Sequence, residues 1–128
     1  VNRKTGMIRF CQAGHPNPAI LRNDGNVEFV GTGGAPVGLI PSMTYETDVI
    51  HLAPGERFMM FTDGITEAEA PNGDMLDEKG LTRLLTEVTS LNEQSMLEKV
   101  IDGTLKHAAT DKLEDDLSAL LLSMPDAA

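Results

Sequence analysis

The 128-residue sequence predicts an α+β domain, and three observations carry that prediction. Through the first half, short apolar runs alternate with Gly- and Pro-rich punctuation, as in antiparallel sheet. After Pro71-Asn72-Gly73 the apolar residues fall at helical spacing instead. Near the C-terminus a nearly continuous apolar run, Leu117 to Ser123, returns to strand character.

The strand-like runs are Met7 to Ala13, Ala19 to Arg22, Val27 to Val30, Tyr45 to Leu52 and Arg57 to Thr62. Asn23-Asp24-Gly25-Asn26 supplies residues that tolerate positive φ, so the second and third runs should form a hairpin. Pro54-Gly55 makes a second tight turn before the fifth run. In the helical half, Leu81, Leu84, Leu85 and Val88 share one face, and Leu97, Val100, Ile101, Leu105 and Ala108 share another. Asn92 suits the N-cap of the second helix, with Leu91 just outside able to pack back onto it. The run from Leu117 to Ser123 is too short for a helix of ordinary length. It reads as a strand buried on both faces that rejoins the sheet.

Length and composition fit one domain, residues 1–128, with a core of Leu, Ile, Val, Met and Ala, because only five residues are aromatic and none is Trp. The net charge of −10 opposes binding to phosphate backbones and to anionic membranes, so neither nucleic acid nor membrane is an expected partner. The acidic excess is uneven: residues 63–128 hold 15 of the 20 acidic groups and only five of the ten basic ones. Such an excess suits either a solvated surface or a cation-binding role. Cys11 is the only cysteine, which excludes an intrachain disulfide and points to a cytoplasmic setting.

Two segments carry chemistry. In Arg57-Phe58-Met59-Met60-Phe61-Thr62-Asp63-Gly64, an apolar strand delivers one carboxylate at its end, beside a Gly that lets backbone or ligand come close. In Glu114-Asp115-Asp116-Leu117-Ser118, adjacent carboxylates stand immediately before a strand, where desolvation and mutual repulsion favour a nearby cation. Taken singly, the first also suits a strand-ending turn and the second a solvated acidic loop. Taken together, neighbouring strands would bring Asp63 and Asp115 to one coordination sphere, and carboxylates with water suit Mn²⁺ or Mg²⁺. His15, His51 and His107 are scattered over separate elements and read as structural rather than zinc-binding. Ala13-Gly14-His15-Pro16-Asn17-Pro18 and Gly33-Gly34-Ala35-Pro36-Val37-Gly38-Leu39 read as turns, since neither has the spacing of a phosphate loop. An acidic pair so late in the chain, after clustered strands, does not suit a phosphoacceptor receiver domain.

Four motifs in register resemble one family over nearly the whole chain. Ala13-Gly14-His15-Pro16-x-Pro18, Gly34-x-Pro36-x-Gly38-Leu39, Pro54-Gly55-Glu56 leading to Thr62-Asp63-Gly64-Ile65-Thr66-Glu67-Ala68, and Asp115-Asp116-Leu117-Ser118 are similar to the SpoIIE-like bacterial branch of the PPM, or type 2C, metal-dependent serine/threonine protein phosphatases. The resemblance implies an α-β-β-α sandwich of two antiparallel sheets with flanking helices. It implies two Mn²⁺ or Mg²⁺ ions held by carboxylates, and a metal-bridging water that attacks phosphoserine or phosphothreonine. Asp63 would then be a metal ligand and catalytic residue, Asp115 the late ligand with the same standing, and Asp116 a further ligand where the family commonly has Asn. The substrate class implied is a phosphorylated regulatory protein of the anti-anti-sigma type. Cys11 has no Arg six positions on, so a cysteine phosphoenzyme is not expected.

Two departures from the family pattern shape the expectation. The early Gly-Asp motif that bridges the metals does not precede Ala13, so the chain corresponds to the C-terminal three-fifths of the catalytic domain, with early strands missing. Lys79-Gly80 stands where an aromatic residue often precedes the Gly. The expected function is phosphoprotein dephosphorylation in the parent domain, with an incomplete metal site and no turnover by this chain alone. The alternative is a non-catalytic interaction module that retains the fold.

Overall fold

The structure, a computed structural model, describes residues 1–112 and 115–126. The strands are β1 (Met7–Phe10), β2 (Ala19–Leu21), β3 (Val27–Phe29), β4 (Asp48–His51), β5 (Arg57–Phe61) and β6 (Ala119–Ser123). The helices, all between β5 and β6, are α1 (Asp63–Thr66), α2 (Asp77–Glu87) and α3 (Glu93–His107). Every pairing is antiparallel: β1 with β4 in a two-stranded sheet, and β3-β2-β5-β6 in a four-stranded one.

Strand alternation sorts the apolar side chains into two cores. From β2 and β5, Ile20 and Phe58 face the two-stranded sheet, where they pack with Ile8, Leu52 and Met124. The rings of Phe58 and Phe10 lie 5.5 Å apart at a 52° tilt and join the two sheets. On the opposite face, Ala19, Leu21, Met59 and Phe61 meet Ile65, Leu81, Leu85, Met96 and Val100 from the helices. The resulting order is small sheet, large sheet, helices. These are three of the four layers that an α-β-β-α sandwich has.

The helices form where the apolar spacing changes. Leu81 and Leu85 on α2 are fully buried, with Val88 buried just beyond, completing the stripe read from the sequence. On α3 the stripe is displaced by one position: Met96, Val100 and Thr104 form the buried line, while Leu97, Ile101, Leu105 and Ala108 are only half-buried, because the helix turns its Met96 edge toward the sheet. Asn92 caps α3, its side chain accepting from the Ser95 backbone N–H at 2.9 Å. Leu91 packs against the core that Met96 enters, as a hydrophobic staple should. Gly80 lets the Leu76 side chain lie close against α2: a Cβ there would stand 2.6 Å from Leu76 Cδ1, and the leucine would have to turn aside.

Two expectations need correction. The first and fourth runs narrow to Met7–Phe10 and Asp48–His51, the rest being loop. The last strand begins at Ala119, and it is not buried on both faces: Leu120 is 58% exposed, as is its cross-strand partner Met60 at 41%. The cause is topological. β6 lies at the edge of the large sheet, and cover from the small sheet ends at the cluster that includes Phe58 and Leu122.

Candidate functional site

The site lies where β5 ends and β6 begins. Antiparallel register pairs Phe61 with Ala119, so the next residues outward, Thr62 and Ser118, face each other. The Thr62 N–H donates to the Ser118 carbonyl at 3.0 Å, extending the ladder one step. The Thr62 hydroxyl then makes two further links. It accepts from the Ser118 N–H at 3.0 Å and donates to the Asp116 carbonyl at 3.2 Å, the nearer of two acceptors, the Ser118 carbonyl standing at 3.5 Å.

Asp63 does not simply end the strand. It is the first residue of the one-turn helix α1, which forms because Ile65 drops into the helix-side core with no exposed surface. The turn is closed by the Glu67 N–H donating to the Asp63 carbonyl at 2.8 Å. Gly64 follows, buried against the opposite segment. A Cβ on it would lie well inside contact distance of the Asp116 carbonyl oxygen and 3.2 Å from its carbon. The sequence expectation that Gly64 permits a close approach is met, and the approaching group is the Asp116 backbone.

The structure therefore brings together the backbones that carry Asp63, Asp115 and Asp116, fifty-two residues apart along the chain at the first two. All three side chains are exposed to solvent. Asp115 Oδ1 accepts from the Asp116 N–H at 2.8 Å. Asp115 also lines a cavity of about 460 Å³ with Gly64, Glu67, Glu69, Thr110 and Lys112. Among the described residues, no three His, Cys, Asp or Glu side chains converge as a metal site. Glu114 lies outside the described residues.

The remaining motifs behave as turns. The Gly14 N–H donates to the Gly34 carbonyl at 2.8 Å, clipping the two Gly/Pro loops together. Buried Gln12 links both: its Oε1 accepts from the Gly33 N–H at 2.8 Å, and its Nε2 donates to Asn17 Oδ1 at 3.0 Å. His15 and His51 are exposed, and His107 Nε2 donates to the Asp74 carbonyl at 2.9 Å. At the far end of β5, buried Glu56 accepts from Arg22 Nη1 and from the Ala53 N–H, each at 2.9 Å. Burial pushes the Glu56 carboxyl up, but the Ala53 N–H and the Arg22 guanidinium outweigh it and hold its pKa below the usual value.

Sequence reasoning missed two features. The helix α1 is too short to show periodicity. The bridging role of Thr62 becomes visible only once β5 and β6 are paired in register, because its partners lie more than fifty positions away.

A family model described as Stage II sporulation protein E (SpoIIE) matches residues 1–125. The chain belongs to the SpoIIE family. Among relatives of similar sequence, the phosphoserine phosphatase RsbU of Bacillus subtilis is 27% identical over 122 residues, covering 94% of this chain and 36% of RsbU. The SiaA-PP2C domain of Pseudomonas aeruginosa superposes with a TM-score of 0.81 at 18% identity, over 96% of this chain and 48% of that one. The phosphatase domain of SpoIIE from Bacillus subtilis, from crystals presoaked with Mn, gives a TM-score of 0.75 at 18% identity, over 100% of this chain and 55% of that one. The fold is thus that of the PP2C phosphatase domains, mixed α+β with antiparallel sheets. The chain spans about half of those solved chains and about a third of RsbU.

Proposed function

We propose that this SpoIIE-family chain is the C-terminal part of a serine/threonine protein phosphatase domain, in which Asp63 and Asp115 hold Mn²⁺ or Mg²⁺ and act in catalysis, with Asp116 as a further ligand. The observation that carries the reading is the juncture of Thr62 with Asp116 and Ser118, which sets the two carboxylate-bearing segments side by side at one sheet end.

The donor set fits hard cations in kind: exposed carboxylate oxygens, with no sulfur or imidazole in the segment. It falls short in number, since two or three adjacent carboxylates hold such an ion weakly. Bound Mn²⁺ or Mg²⁺ supplies Lewis-acid chemistry, making a water nucleophilic near neutral pH and screening the phosphate. The chain needs that screening. A phosphomonoester approaching a protein of net charge −10, through its acid-rich half, meets repulsion unless a cation intervenes. Asp63 and Asp115 bind, while the Asp116 N–H orients the Asp115 carboxylate by occupying Oδ1. The substrate proposed is a phosphoserine or phosphothreonine in a regulatory protein of the anti-anti-sigma type; RsbU, described as a phosphoserine phosphatase, supports the phosphoserine part of that reading.

A second reading, a non-catalytic interaction module, is favoured by one observation: the described residues hold no three-sided metal group. A Mn²⁺-dependent assay on a phosphoserine protein separates the two. The chain joined to an upstream segment bearing the Gly-Asp motif should turn over, and Asp63→Asn should abolish turnover. Equal turnover by the wild-type and Asp63→Asn forms would defeat the phosphatase reading at this site.

A further inference from the structure

We propose that Thr62 is a positioning residue: its hydroxyl is the clasp that fixes the Asp115–Ser118 segment against the turn bearing Asp63. The inference rests on the metal-site reading above and adds a residue that does not itself touch the cation or the substrate.

The position of Thr62 makes its bonding informative. It is the N-cap of α1, with extended φ −88° and ψ 158°, where a Thr hydroxyl ordinarily accepts from an N–H of the first helical turn. Here the side chain makes no capping bond. The Ile65 N–H is met instead by the Thr62 carbonyl at 3.2 Å. The hydroxyl is diverted across the sheet, giving its proton to the Asp116 carbonyl and a lone pair to the Ser118 N–H. Only a group that donates and accepts from one atom can do both, which among residues of this size means Thr or Ser. Gly64 completes the arrangement by leaving no Cβ between the two backbones. The order Thr-Asp-Gly thus has a physical sense: the first residue ties the partner segment, the second offers a carboxylate, and the third lets the segment sit close.

The consequence falls on geometry. Asp115 and Asp116 lie in a loop whose side chains are exposed, so the loop has little packing of its own to fix it. Without the clasp, the backbone from Asp116 to Ser118 keeps the Thr62 N–H to Ser118 bond, the contact with Gly64 and the half-buried Leu117 side chain on the helix-side core, none of which fixes the Asp116 carbonyl or the Ser118 N–H. Groups that orient metal ligands without touching the ion typically alter metal affinity by about 10- to 100-fold when removed.

The test uses the 128-residue chain as wild type, Thr62→Val and Thr62→Ser, with two readouts. Amide exchange followed by NMR reports the Ser118 N–H, and a Mn²⁺ titration followed by the EPR signal of free ion reports binding. Thr62→Val keeps the shape and deletes the hydroxyl. It should abolish the Ser118 protection and weaken Mn²⁺ binding by about 10- to 100-fold. Thr62→Ser should keep both at wild-type levels, and because it is the milder change it stands as a test even if the valine variant does not fold. Wild-type protection and binding in Thr62→Val, or losses in Thr62→Ser, would overturn the clasp. Failure of the wild type to bind Mn²⁺ even when joined to an upstream segment bearing the Gly-Asp motif would instead defeat the metal-site reading, and Ser118 exchange would then decide the clasp alone.

Discussion

Gly64→Ala pits two physical effects of opposite sign against each other. Gly64 lies in helix α1 with no positive φ, so an Ala there favours the helix by up to about 1 kcal/mol. Against this, the new methyl would collide with the Asp116 carbonyl, whose carbon it would approach to 3.2 Å, and would reach Leu117 Cα at 3.7 Å. Backbone cannot swing aside as a flexible side chain can. To restore ordinary carbon–oxygen contact, the segment must retreat by about 1 Å. Such a retreat takes both Thr62 hydroxyl bonds, now 3.2 and 3.0 Å, beyond hydrogen-bonding range. Two bonds at about 1 kcal/mol each, with overpacking of about 1–3 kcal/mol, outweigh the helix gain. The expected net loss is about 2–4 kcal/mol, or a fall in Tm of about 6–20 °C for a chain of this size. Thermal melts followed by circular dichroism, with a parallel Mn²⁺ titration, check it. A Tm equal to or above wild type, with unchanged Mn²⁺ binding, would refute the claim that the two segments touch here.

Other expectations follow from the same structure. Asn92→Ala removes the α3 cap and should lower stability by about 1 kcal/mol, read as a Tm drop of about 3–5 °C. Glu56 has its folded pKa lowered, so its contribution is complete above the ordinary carboxylate range and is lost as pH falls through the folded value. Stability measured by urea between pH 7 and 3 should therefore fall with acidification, and Glu56→Gln should flatten that slope while lowering stability by about 1–3 kcal/mol at pH 7. Met59→Ala empties a fully buried site and should cost about 2–5 kcal/mol, whereas Leu120→Thr on exposed β6 surface should stay within about 0.5 kcal/mol. Comparable losses from the two would contradict the strand alternation.

The sequence was most legible where one residue's environment is set by its near neighbours. The cap at Asn92, the stripe on α2, and the hairpin through Asn23-Asp24-Gly25-Asn26 are all local, and formed as expected, whereas the buried line on α3 runs one position away from the expected one, through Met96, Val100 and Thr104. The β5–β6 pairing was also foreseeable, because two apolar runs each flanked by an acidic motif implied neighbouring strands. What escaped was set by distant partners. Leu120 has the same hydropathy as Leu122 and lies on the same face of β6, and only how far the small sheet's cover reaches along the strand separates an exposed leucine from one packed with Phe58. Gln12 reads as an ordinary polar loop residue, yet it ties two loops whose glycines are 19 positions apart. At the candidate site, the nearness of the two acidic segments was legible from residue types and strand order, while the part of Thr62 was not, since a hydroxyl before Asp-Gly has no signature until its partner strand arrives.

The placement of β2 and β5 has a further consequence. Ile20 and Phe58 belong to one core, while Ala19, Leu21, Met59 and Phe61 belong to the other, so the same two ribbons of backbone form a common wall between them. Neither compartment can dissolve and leave its neighbour standing, because melting one releases the partition that encloses the other. The molecule should come apart in a single cooperative step, and damage on the small-sheet side will be felt on the helical side without any side chain bridging the two.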